Sequence, residues 1–464
     1  MNNQNQSVLD DDRIGRLLLK LSLPAFFGMF VITLYNVVDT IFIGHYVGPL
    51  GIAGLSIVFP LQMLSMGAGQ MMGMGGASLI SRLIGANNAS RAEHALGNAM
   101  TSVVALSAMI MIAGLADIDF WLRLMGSSET ILPYAKDYMS IILSGLVFPT
   151  FAMALNSLVR AEGNARVAMT GMIIGAVSNI ILDAILIIPL EMGIKGAALA
   201  TVIAQMISAG YLIGYYASGK SFLKIHSRNL VLELGILKAI VAIGIASLAR
   251  TLAGSLSILF VNRMLVVYGG DLAVSAFGVI NRILMFAIMP GIVIGQGLQP
   301  ILGFNYGAKH YDRALKAIKI AIAAATACCV SVFLVVYFVP EPLIRIFTTD
   351  SGLVALGSYA AKRVFLVLYL IGFIMVGSLV FQSIGKAIQS FVTAISRPAL
   401  FLLPLIFVLP HYWQLDGIWL AFPITDALTF LLTLALLIPQ LRELRSMDLS
   451  GEQGRLARQK EMVL

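Results

Sequence analysis

Asp39, Asp183 and Asp426 each sit inside a stretch of apolar residues long enough to cross a bilayer. A charge at the centre of such a stretch costs about 2.5–3.5 kcal/mol on insertion scales, so it is kept for a use or held by a partner. Tyr35 and Asp39 lie four residues apart and share a helix face, with Asn36 and Thr40 beside them. Asn179 and Asp183 repeat that spacing, as do Thr201 and Gln205 further along. No Asp can face lipid cheaply, so these faces are expected to meet around one polar pocket. Two carboxylates a few ångströms apart cannot both stay ionised without a cation between them. Either they share a proton, or they hold Na⁺ with oxygens from Asn179 and Thr201. A pair that loads a cation on one side and releases it on the other can drive an exchange, at about 2.3 kcal/mol per charge per 100 mV. The competing reading is a buried Asp that only bonds a neighbouring helix; for Asp426, with few polar neighbours, that reading leads. Arg263 and Arg282 are the cations of the second half, Arg263 as structure and Arg282 as counter-ion or part of the coupling route. Pro24 kinks its helix and is a candidate hinge. Gln70, Asn156 and Gln296 are polar groups for a substrate cavity.

The elements that must position these residues are membrane spans. The 464 residues are 59% hydrophobic and 12% charged, with a mean hydropathy of +0.91, against about 25% charged in soluble domains. Twelve apolar runs, from 18–44 to 415–440, each reach the roughly 20 residues a spanning helix needs. With the N-terminus taken as cytoplasmic, 22 of the 31 Lys and Arg residues fall on the cytoplasmic side, Arg397 being assigned to the loop after the tenth run, and 6 fall opposite. Both termini are therefore expected inside. The net charge of +8 is spread over short loops, not gathered in a patch with stacking aromatics, which argues against nucleic acid. The first apolar run lacks the build of a cleavable leader and is expected to be both targeting signal and first span.

A shift of 222 residues lays the chain on itself: Gly48 falls on Gly270, Gly69 and Gly73 on Gly291 and Gly295, Gly85-Ala86 on Gly307-Ala308, and Arg91-Ala92 on Arg313-Ala314. The expected fold is an all-α membrane protein of twelve transmembrane helices in two pseudo-symmetric six-helix lobes, residues 1–218 and 238–464, joined by a basic cytoplasmic linker at 219–237. Parallel repeats of this kind are a transporter architecture with the substrate cavity between halves. The residues 222 beyond Asp39 and Pro24 are Val261 and Ala246, so the ion site is expected in the first half alone. The linker holds Lys220, Lys224, His226 and Arg228 and reads equally as a surface amphipathic helix or a plain connection. Cys328 and Cys329 are adjacent and read as small apolar residues. All five histidines fall at loops or helix ends, so no metal or nucleophile constellation supports a membrane enzyme. The single-lobe carboxylates suit a carrier better than a channel.

Leu-Ser-Leu-Pro24, Asn36-Val-Val-Asp39-Thr-Ile-Phe-Ile-Gly44, Ser178-Asn179-Ile-Ile-Leu-Asp183 and the paired Gly-Ala…Arg-Ala loops resemble the multidrug and toxic compound extrusion (MATE) family over nearly the whole chain. The resemblance implies two six-helix lobes forming a V and export of amphipathic, often cationic, compounds in exchange for Na⁺ or H⁺, with no organic cofactor. Asp39, Asn179, Asp183 and Thr201 match the N-lobe cation site of its DinF-type branch. Residues 252–263 and 381–386 offer no carboxylate for a second-lobe site of the NorM type. Tyr35, Asn36, Gln70, Asn156, Arg282 and Gln296 are the cavity candidates, and Met63, Met66, Met71, Met72 and Met74 read mainly as packing. A monomeric carrier in a bacterial-type inner membrane is expected, its partners small organic substrates and lipid. A lipid-linked precursor flippase of a related fold is the alternative.

Overall fold

The structure is a computed structural model describing residues 9, 11 and 13–463, with side chains described through residue 450. The described residues form helices and no strands. In chain order these are α1 (Ile14–Tyr46), α2 (Pro49–Gly85), α3 (Ala89–Ala116), α4 (Ile118–Leu124), α5 (Leu132–Ser144), α6 (Val147–Ala161), α7 (Ala165–Ile187) and α8 (Gly193–Ala217). After a short 3₁₀ turn at Ser227–Leu230 come α9 (Leu234–Gly307), α10 (Tyr311–Phe338), α11 (Pro340–Arg345), α12 (Ser351–Val364), α13 (Tyr369–Ile384), α14 (Ala387–Ile395), a π-helical turn at Ser396–Leu402 and α15 (Leu403–Val463).

Eight helical stretches are long and apolar enough to cross a membrane, and the pairs α5/α6 and α12/α13, each bent by 53°, add two more. Two of the eight hold two crossings each. Gly270 (φ 64°) divides α9, and Trp413 with Gln414 divides α15. At the second break the chain folds back, bringing Gly417 against the Leu409 carbonyl. The protein is thus an all-α, multi-pass membrane protein with twelve crossings.

The repeat is written in the backbone as well as in the residues. Three of the seven positive-φ residues of the first half recur at the same offset of 222: Gly48 and Gly270, Asn87 and Lys309, Gly163 and Gly385. The bounds of α3 map onto α10, the start of α6 onto that of α13, and the start of α7 onto that of α14. Gly48 and Gly270 open the reversal after the first span of each half, a left-handed conformation that glycine adopts without a Cβ clash. The glycines of the second spans serve close packing. Gly69 and Gly73 lie on Thr150 and Ala154 of α6, while Gly291 and Gly295 lie on Met375 and Leu379 of α13. Helices in lipid gain no hydrophobic drive from each other, so small residues that let backbones approach supply the contact.

The described residues cluster into two compact units, one with residues 23–252 and the other with residues 13–22 and 253–463. These bounds depart from the expected joint at 219–237. The linker and the start of α9 belong to the first unit, and the start of α1 to the second. The division in α1 falls between Ser22 and Leu23, beside Pro24, which lies inside a continuous helix.

Candidate ion-coupling site

The first unit gathers its polar spans in one place. Asp183 on α7 is fully buried, Asn179 one turn earlier is 2% exposed, and Asp39 on α1 is 8% exposed. Asp39 and Asp183 are close enough for their charges to act on each other. The Asn179 amide is best satisfied with its nitrogen donating to Asp183 Oδ2 at 3.2 Å and its oxygen accepting from the Thr201 N–H at 3.3 Å. In the opposite orientation its nitrogen meets Thr201 Oγ1 at 3.4 Å. Asp39 Oδ1 and Asp183 Oδ1 are both buried with no hydrogen-bond partner among the described residues. Among the described residues, neither carboxylate is paired with an arginine or lysine. Two such orphaned oxygens are what a proton or a hard cation would satisfy. The donor set is all oxygen, which fits Na⁺ as well as H⁺.

Tyr35, the partner expected on the Asp39 face, is half-buried and lies near both carboxylates and Gln205. Two further residues belong to the pocket that the sequence reading missed. Gln62 on α2 donates to the Tyr138 hydroxyl on α5 at 3.0 Å, and Tyr138 also feels Asp39 and Asp183. The available signal was a glutamine and a tyrosine inside apolar runs.

Other expected members lie elsewhere. Asn36 is exposed and donates back to the Ile32 carbonyl of its own helix at 2.9 Å. Asn156 is committed to packing: its nitrogen donates to the Ala168 carbonyl at 2.8 Å and its oxygen accepts from Arg160. Gln70 is half-buried on α2. Arg282 (exposed) and Gln296 (half-buried, its Oε1 unpartnered) lie on α9 in the second unit, as does Arg263, also exposed.

Asp426 has a partner that the sequence reading placed in a loop. Arg397, in the π-helical turn, donates through Nε to Asp426 Oδ1 at 2.6 Å and through Nη2 to Oδ2 at 3.5 Å. The chain after the tenth run re-enters the helix earlier than its charge suggests, and Arg397 points into the second unit, its side chain 20% exposed. Asp426 is therefore a neutralised pair, in contrast to Asp39 and Asp183.

Two repeats of six apolar spans each, with a buried carboxylate pair inside one unit, are the architecture of a membrane transporter. The MatE family profile matches residues 24–185 and 242–408, and the chain belongs to that family of transporters. It is 26% identical over 422 residues to the multidrug export protein MepA of Staphylococcus haemolyticus, covering 90% of this chain and 92% of that protein. The MATE multidrug transporter DinF-BH, whose structure was solved in complex with a dye, is 40% identical, with a TM-score of 0.86 over 92% of this chain and 97% of that one. An outward-facing MATE transporter of the MOP superfamily superposes with a TM-score of 0.89 at 26% identity, covering 95% and 98% of the two chains.

Proposed function

We propose that this transporter exports amphipathic, often cationic, organic compounds from the cytoplasm in exchange for H⁺ or Na⁺, with Asp39, Asn179, Asp183 and Thr201 as the coupling site. The observation that carries the reading is the pair of buried, mutually interacting carboxylates whose Oδ1 atoms lack partners. Likeness to MepA and to a DinF-type transporter holding a dye supports the substrate class and the DinF-type branch.

The chemistry follows from charge. With both carboxylates ionised, the pocket holds two negative charges out of water, a costly state in a membrane. Binding one cation removes part of that cost, so the loaded and empty pockets favour different helix arrangements, and the gradient biases the cycle. Asn179 orients Asp183 through its amide, while Tyr35 and Tyr138 lie near the pair. Pro24 lacks an N–H, so α1 misses one backbone bond near the boundary of the two units. It is the hinge in this reading.

The test is transport of a fluorescent cationic rhodamine dye in proteoliposomes under an imposed ΔpH or Na⁺ gradient. A hundredfold concentration gradient of the coupling ion is worth about 2.7 kcal/mol, enough for up to about hundredfold accumulation of a monovalent cationic dye exchanged one for one. Asp39→Asn and Asp183→Asn should each flatten that accumulation while both proteins still bind dye. Retention of gradient-driven export by both variants ends the coupling assignment. The ion is named by whichever gradient drives the wild type.

A further inference from the structure

The linker between the repeats is neither a loose connection nor an amphipathic helix. It is a strap laid along the start of α3, in the first unit. Asn98, fully buried on α3, donates to the Val231 carbonyl at 3.1 Å and accepts from the Glu233 N–H at 2.7 Å. Thr101 donates to the Leu230 carbonyl at 2.9 Å, and Glu93 accepts from the Lys224 N–H at 3.1 Å. Gly97 lets the Asn229 carbonyl rest on the helix backbone, where a Cβ would overlap it. These backbone groups of the strap are thus satisfied by protein; Ser221, Leu223 and Asn229 are buried beneath it, while Lys224 and residues 226–228 and 230–235 are exposed.

Those side chains divide into two kinds. Leu230, Val231, Leu232 and Leu234 are exposed in near succession, Val231 at 67% and Leu234 at 81%. They lie at and just before the start of α9, whose first apolar stretch is long enough to cross a membrane. Around them Lys224, Arg228 and Lys238 are exposed, and their side chains meet no carboxylate among the described residues. The two nearby acids are otherwise engaged: Glu93 faces His226 at 3.9 Å and Glu233 faces His94 at 3.7 Å. Water alone is a poor cover for four adjacent apolar side chains. A leaflet supplies acyl chain to them and phosphate to the cations in the same place.

We infer that the strap at residues 221–238 is a binding site for anionic phospholipid, in which Leu230–Leu234 enter the acyl region of the leaflet and Lys224, Arg228 and Lys238 hold headgroup phosphates. The charge distribution over the loops assigns that leaflet to the cytoplasmic side. Because the strap is hydrogen-bonded to α3 and continuous with α9, a lipid held there stiffens the connection between these two helices.

Binding of phosphatidylglycerol and phosphatidylcholine to the purified full-length protein, counted by native mass spectrometry across a lipid titration, tests this. Each basic side chain near an anionic surface is worth about fivefold in affinity. The Lys224→Gln, Arg228→Gln and Lys238→Gln variants should each lower the preference for phosphatidylglycerol about fivefold, and the triple variant about a hundredfold. Added salt should weaken the wild-type preference in the same direction. Leu234→Ser should lower the affinity for both lipids together. A wild type that does not discriminate the two lipids overturns the inference. So does a Lys316→Gln/Lys319→Gln control that loses as much preference as the strap variants, because the effect would then be diffuse charge. Displacement of the lipid by inorganic phosphate at equal concentration also overturns it. The single variants keep the test open should the triple variant fail to fold.

Discussion

Glu162 offers a prediction whose size can be worked out. It caps α6, outside the spans, and is 2% exposed. Its Oε2 accepts from the Ser221 hydroxyl at 2.6 Å, while Oε1 is buried without a partner. Tyr215 and Tyr216 of α8 are the other titratable groups acting on it. Burial pushes the carboxyl from 4.5 up to about 7, offset in part by hydrogen bonds from Ser221 and its neighbours. In the opened state, exposed to water, it returns to its ordinary value. Below about pH 4.5 both states are protonated and the junction has its full stability. As pH rises toward 7 the opened state ionises first, so the closed state binds more protons and loses stability. The loss levels off above pH 7 at about 3 kcal/mol, from 1.36 kcal/mol per unit. Hydrogen exchange of the amides at 221–223, corrected for intrinsic rates, should show protection falling about a hundredfold between pH 5 and pH 8.5. Glu162→Gln, which cannot ionise, should hold the pH 5 protection throughout. Protection that does not change with pH, or an equal slope in the Gln variant, refutes the reasoning.

The ion pair of the second unit should be asymmetric to mutation. Arg397→Met strands a carboxylate that is 2% exposed and should cost about 3–5 kcal/mol. Asp426→Asn strands a guanidinium with 20% access and should cost less, and Arg397→Met/Asp426→Leu should recover most of the loss in thermal melts. Equal costs for the two single changes would contradict this placement. Asn98→Ala removes three strap bonds and should release the strap to proteolysis, whereas Thr101→Ala, losing one, should have a smaller effect. Gly97→Ala should release it too by pushing off the Asn229 carbonyl. Per folded molecule, Asp426→Asn should keep the gradient dependence of export that Asp183→Asn loses.

Much of the fold was legible because lipid imposes simple rules. Long apolar runs had to be helices, and the 222-residue offset showed in glycines that close packing and tight reversals demand. The two breaks inside α9 and α15 were visible as junctions of apolar runs, at Gly270 and before Leu415. The Asp39 and Asp183 faces were readable because acids in lipid are rare and their fourfold spacing fixes a face. Gln62 and Tyr138 were not, since a neutral polar residue in a span is cheap enough to mean little on its own. Arg397 was misread for a physical reason. Near the end of an apolar run, a cation looks the same whether it marks the boundary or turns inward to an acid 29 residues away. Asn156 was misread in the opposite sense, its amide being consumed by Ala168 and Arg160.

The two halves share a backbone but not a charge balance, and that difference is where function separates from scaffold. Positions 222 residues before Arg397 and Asp426 are Gly175 and Ala204, so the balanced pair has no counterpart in the first half. The position 222 after Asp39 is Val261, so the unbalanced pair is incomplete in the second. A carboxylate that already has a guanidinium gains little from a passing cation, because its charge is compensated whether or not one arrives. Asp39 and Asp183 have no such partner, so the energy of their pocket changes with each cation gained or lost. Only a group whose energy depends on occupancy can transmit a gradient to the helices around it. The repeat thus supplies two similar frames. On the proposed coupling, the arginine beside Asp426 makes the second frame indifferent to the ion, and the lack of one beside Asp39 and Asp183 leaves the first dependent on it.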